Sequence, residues 1–139
     1  MANAIRGERD VVLNGIKYTL RLTMSVIAEF QEMRDKDFMA VAVAAVNVYA
    51  ESMKFERALD RAEAMTSVVS LDDAATLIYL AAKESNSQVE FEEIQDALLS
   101  DFNVTNDALF YPAIFADLCL FAVMGKDGSK KKAKGSKAG

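Results

Sequence analysis

The sequence predicts a mainly α-helical domain: an N-terminal β-hairpin, a bundle of about five helices, and a disordered basic C-terminal tail. Three observations carry this. Val11, Leu13, Ile16, Tyr18, Leu20 and Leu22 alternate with polar or small residues on both sides of Asn14-Gly15. Beyond Leu22 the apolar spacing changes to that of a helix and stays there. Residues 128–139 contain only lysine, glycine, serine and alanine, a composition that cannot build a packed core. The predicted boundaries are a domain over 1–125 and a lysine-rich tail over 126–139.

Asn14-Gly15 is a strong hairpin signal, because both residues tolerate the positive φ of a type I′ turn. Thr23 then caps a first helix, on which Val26, Ile27, Phe30 and Met33 share helical spacing. A second helical region starts near Asp37. Phe38, Val41, Ala42, Ala45, Val48, Tyr49 and Met53 form its apolar stripe, and Val43 and Val46 widen it. Phe55, Leu59, Ala62 and Met65 continue the period, opposite a charged face, with a bend expected near Lys54. Ser70 and Asp73 form an acidic capping box that opens a helix through Lys83. Its inward face is Leu71, Ala74, Ala75, Ile78 and Ala82. A fourth helix over 90–100 carries Glu90, Glu92 and Glu93 in its first turn, where the helix dipole favours anions. It turns Phe91, Ile94, Leu98 and Phe102 inward. Pro112 places the start of the last helix near Tyr111, since proline fits a first turn and breaks an interior. Gly125 stops it.

The length of 139 residues suits one domain, and an apolar content of 52% is enough for a core. The formal charge of −5 is uneven: residues 126–139 hold six lysines and one aspartate, net +5, which leaves −10 for the rest. The lone cysteine, Cys119, sits among Leu118, Leu120 and Phe121, cannot make an internal disulfide, and reads as a small core residue in a reducing compartment. The first residues lack the apolar run of a secretory signal. The longest apolar stretch, the 17 residues of 108–124, contains Pro112 and Asp117, so a core helix is expected and no membrane span.

Catalytic chemistry is sparse. There is no histidine, so the usual acid–base group near neutral pH is missing and zinc sites of cysteine and histidine are excluded by count. Neither a phosphate-cradling loop nor a dinucleotide fingerprint occurs. The carboxylates at Asp72 and Asp73, and at Glu90, Glu92 and Glu93, sit where helix starts favour them. The expectation is a non-enzyme with no cofactor and no metal.

Seven methionines and eight phenylalanines point instead to an apolar, adaptable surface. Helix-in-groove recognition is the expected mode. The candidate partner-binding residues are Met39, Val43, Val46 and Met53 on the outer edge of the second helical region, with Phe110, Tyr111 and Phe115 near the end. The unpaired edges of the hairpin make self-association into a homo-oligomer a further expectation.

Several motifs carry a family resemblance. They are Arg6-Gly7-Glu8 before a strand, Asn14-Gly15, a second strand ending Leu20-Arg21-Leu22-Thr23, and Ala28-Glu29 on a helix. The run from Ser67 through Ser70 to Ile78 and the helix entry Val89-Glu-Phe-Glu-Glu-Ile94 extend it over roughly the first hundred residues. In these the chain resembles the small tail assembly chaperones of siphophages and gene transfer agents. It departs from them at Leu22, Thr23 and Met24, where proline or an aromatic is common. The resemblance implies a protein that coats the tape-measure protein in the cytoplasm of the host bacterium before the tail tube polymerises, then leaves. It also implies longer frameshifted products that recruit the tail tube protein. An acidic body would keep such a coated complex soluble by self-repulsion.

Lys130, Lys131, Lys132, Lys134 and Lys137 admit salt-sensitive binding to nucleic acid or an anionic membrane. A solvated tail is the expected reading, with neither partner. Two other functions stand beside the chaperone: a structural tail component retained in the virion, and a small helical adaptor whose basic tail binds nucleic acid. Tube proteins are usually β-rich, which sets this helical chain apart from them.

Overall fold

The computed structural model describes residues 8–105 and 111–120, and the side chains of 8–101 and 111–120. Within them lie one antiparallel hairpin and six helices. β1 (Glu8–Leu13) pairs with β2 (Ile16–Arg21), Leu13 opposite Ile16 and Glu8 opposite Arg21. Asn14 has φ 52° and Gly15 φ 78°, the conformation the turn demands. A Cβ on Gly15 would meet nothing within 4 Å, so only its backbone angle resists substitution. Gly15→Ala is therefore expected to cost about 1–2 kcal/mol, read as a lower urea midpoint with an unchanged slope.

The alternating residues face inward as their period requires. Leu13, Tyr18 and Leu20 are buried and Val11 partly so, while Asp10, Lys17 and Thr19 lie on the opposite, wet face. There Thr19 Oγ1 donates to Asp10 Oδ1 at 2.8 Å, with Lys17 Nζ 3.6 Å from the other oxygen. Ile16, at the tip, is half exposed.

The helices are α1 (Met24–Arg34), α2 (Phe38–Ser52), α3 (Ala58–Thr66), α4 (Leu71–Ser85), α5 (Phe91–Thr105) and α6 (Tyr111–Leu120). α4 is central. Nine of its residues are buried, Ala74, Ala75, Leu77, Ile78 and Leu80 among them, with the hairpin on one side and α1 and α5 packed against it. Small alanines let those neighbours approach closely. Both predicted caps form: Thr23 Oγ1 accepts from Val26 N at 3.1 Å, and Ser70 Oγ accepts from Asp73 N at 3.0 Å. Phe30 joins three helices. Its ring meets Phe38 of α2 edge-on at 5.6 Å and Phe115 of α6 at 6.2 Å.

The second helical region is two helices. Nothing between Ser52 and Arg57 is a glycine or proline. The helix ends because other groups take over its hydrogen bonds. The buried Ser52 hydroxyl donates to Tyr49 O at 2.8 Å, and Lys54 N and Phe55 N reach back only three residues. Arg61 Nη1 then collects the carbonyls of Phe55 and Glu56, at 2.6 and 3.1 Å. The turn folds α3 back on α2 and buries Ala62 and Met65, which a straight helix would carry away from the core.

Phe110, the continuation of the last helix to Met124, and the lysine tail lie outside the described residues, as does the side chain of Phe102.

Candidate functional site

The sequence nominated an apolar outer edge, and the structure divides its members. Met39 is 42% exposed, Val43 41% and Met53 58%. Spacings of four and then ten residues keep all three near one side of α2. Val46 is half-buried beside Tyr49, where both meet Ala113, Ala116 and Leu120 of α6 across a narrow cleft of about 100 Å³. Tyr111 is also half-buried, and burial raises its phenol pKa.

Phe115 needs correcting. It is fully buried against Phe30, inside the core, and is not an exposed contact. An apolar helical stripe does not reveal which of its sides a neighbour will cover, and here Phe30 of α1 packs on Phe115.

Two apolar residues placed in the α3 stripe turn out to be exposed instead. Phe55 is 44% and Leu59 65% exposed, because the turn after Ser52 leaves both on the outside of the corner. With Met53 they form an apolar corner beside an open depression of about 410 Å³ lined by Phe55, Asp60, Glu63, Ala64 and Ser67. No breaker residue announced this corner. The usable signal was Arg61, a cation one turn inside a helix start, where it can hold carbonyls of the preceding turn.

The carboxylates at the helix starts have divergent roles. Asp72 is exposed, whereas the side chain of Asp73 is only 1% exposed. Arg34 Nε donates to its Oδ1 and Lys36 Nζ to its Oδ2, both at 2.7 Å. Burial alone would raise its pKa. The hydrogen bonds from Lys36 and Arg34, with their charges, outweigh that and hold the carboxyl below its ordinary value. Asp73 thus ties the start of α4 to the end of α1, where Asp35 turns the chain with φ 52°. Each of its oxygens already accepts from one cation, and the side chain is almost wholly withdrawn from solvent.

Glu93 likewise serves the fold. One oxygen accepts from Glu90 N at 3.3 Å, half a capping box, and the other accepts from the Tyr18 hydroxyl at 2.5 Å. Burial, then the hydrogen bond and the charge of Glu93, push Tyr18 up to about 12. Burial raises the Cys119 thiol as well, which keeps it protonated and unreactive. A second cleft, about 240 Å³ between the hairpin and α6, is crossed by the Arg9–Asp117 ion pair at 3.0 Å.

Among the described residues no three histidine, cysteine, aspartate or glutamate side chains group to hold a metal ion, and no single helix is long and apolar enough to cross a membrane. The groups with perturbed protonation are all engaged in holding elements together or buried in apolar surroundings. Val12, Ile16, Met24, Met33, Leu99 and Leu120 are exposed elsewhere, and the apolar edge of α2 with its α2–α3 corner is the exposed apolar set that adjoins an open depression. Comparison with protein-family models, with curated proteins and with solved structures finds no match.

Proposed function

We propose that this chain is a non-enzymatic assembly chaperone of phage-like tails, acting in the cytoplasm of the bacterial host. It binds the tape-measure protein and keeps that long helical protein soluble until the tail tube polymerises round it. The observation that carries the reading is the set of exposed apolar residues Met39, Val43, Met53, Phe55 and Leu59, which follow one another along the α2 edge and its corner with α3. The sequence resemblance described above names the partner. The mechanism is masking: an apolar stripe of the partner docks on this edge, each contact is weak, and many copies along one template gain by avidity.

Co-expression with the coiled-coil-rich tape-measure protein tests the reading. The partner is expected to become soluble only with this chain present, and to lose that solubility with the double variant Met39→Asp/Met53→Asp. Because both positions are exposed, the variant itself is expected to stay folded, with a stability change of about 0.5 kcal/mol or less per site. A partner that stays insoluble, with this chain found in stoichiometric amount in purified particles, replaces the chaperone by a structural tail component.

A further inference from the structure

We propose that the depression at the α2–α3 corner seats a lysine or arginine of the bound partner. The segment this chain takes is then an amphipathic helix whose apolar stripe is bordered by basic residues. The inference rests on the reading above and adds the partner's charge pattern to it.

The lining is amphipathic in the way a long cationic side chain is. Phe55 and Ala64 offer apolar surface, and Asp60 and Glu63 hold carboxylates beside it. A lysine or arginine stem lies along such a surface while its head stays polar, and the ring of Phe55 adds a cation–π attraction. The cations already nearby do not satisfy the acids. Arg57 Nε is 3.9 Å from Asp60 Oδ2 with both side chains well exposed, a contact of little strength. Lys54 is directed to Glu51, and Arg61 Nη1 is spent on two backbone carbonyls. Among the described residues the carboxylates of Glu56 and Glu63 have no ion-pair partner. The apolar part of the partner has its place alongside, on Met53 and Leu59, which are 58% and 65% exposed. Residues 1–125 as a whole carry −10, so the long-range field favours the same sign of partner.

The test uses the full chain and two synthetic helical peptides with one leucine stripe, flanked by lysine in one and by glutamate in the other. Fluorescence anisotropy is expected to show the lysine peptide binding about tenfold tighter, with the advantage shrinking as salt rises. Asp60→Asn/Glu63→Gln is expected to remove most of that advantage, while Asp72→Asn/Glu92→Gln, exposed acids elsewhere, leaves it in place. Equal binding of the two peptides, both weakened by Met53→Asp, overturns the basic border and leaves the apolar docking reading standing. Binding of neither peptide, or binding indifferent to Met53→Asp, overturns both. Two further outcomes reassign the seat. Removal of residues 126–139 that strengthens lysine-peptide binding tenfold gives it to the chain's own lysines. Concentration-dependent dimerisation abolished by Met53→Asp gives it to a second copy.

Discussion

Phe115→Ala is expected to lower the stability of the fold by about 3–5 kcal/mol, the usual cost of emptying a phenylalanine site in a core. The ring has no exposed surface, and it lies 6.2 Å from Phe30 at an angle of 54° while Phe30 meets Phe38 edge-on. Removing it takes from α6 its ring contact with α1 and leaves a cavity in the core beside Phe30. Aromatic pairing adds roughly 0.5–1.5 kcal/mol to the burial that is lost. Against a total stability of about 5–15 kcal/mol the variant remains marginally folded, and its thermal midpoint falls by roughly 10–15 °C. Phe115→Asp goes further, since the carboxylate would be buried without a partner. That variant is expected not to fold, and its failure in a solubility assay would say nothing about a docking surface. Urea denaturation checks the prediction: a loss under about 1 kcal/mol for Phe115→Ala would mean that α6 does not pack on Phe30.

The second large effect is electrostatic. Asp73→Asn keeps the shape of the side chain and removes the charge that Arg34 and Lys36 share, at 2.7 Å each. Breaking a buried pair costs about 3–5 kcal/mol when the remaining ion stays buried. Here Arg34 is 29% and Lys36 42% exposed, so both can turn to water, and about 2–3 kcal/mol is the expected loss. The pH dependence has a definite sign. The native carboxyl titrates below its ordinary value of 3.8, so the unfolded chain binds the proton first. The stabilisation is complete above that ordinary value and is lost as pH falls through the lowered native one. Chemical denaturation from about pH 6 to pH 2 is expected to show the wild type and Asp73→Asn converging as the pH drops. Parallel curves would show that Asp73 is not the ionised hub of this cluster.

What could be read from the sequence was whatever a few neighbouring residues decide among themselves. Asn14-Gly15 sets its own turn, Thr23 and Ser70 each cap the helix that begins beside them, and Val26 with Phe30 marks a buried side one turn apart. The break after Ser52 was expected only as a bend, because its causes are a buried hydroxyl and the reach of Arg61 from six residues ahead. The candidate surface was legible for the same local reason and failed for a tertiary one. Met39, Val43 and Met53 lie on the open side of α2, while Phe115 presents the same chemistry to a side that α1 closes. Phe55 and Leu59 looked like core and are not, since their place depends on how α3 turns back. Asp73 looked like an ordinary helix-start acid, and only the fold brings Arg34 and Lys36 to it from nearly forty positions away, 39 and 37 residues.

The hairpin occupies the beginning of the chain, but its anchors lie near the other end. Asn14 N donates to Asp101 Oδ2 at 2.8 Å across 87 residues, Tyr18 reaches Glu93 across 75, and Arg9 reaches Asp117 across 108. A two-stranded ribbon has little stability alone, so it gains its own only when α4 and α5 have been made. During synthesis at roughly 5–20 residues per second, that leaves several seconds in which Leu13, Tyr18 and Leu20, the inward row of β1 and β2, are unsheltered. An element made before all the helices that hold it is thus among the last to be secured. Loops closed over such separations also slow the search for the native arrangement. The newborn chain is itself, for those seconds, a client in need of cover.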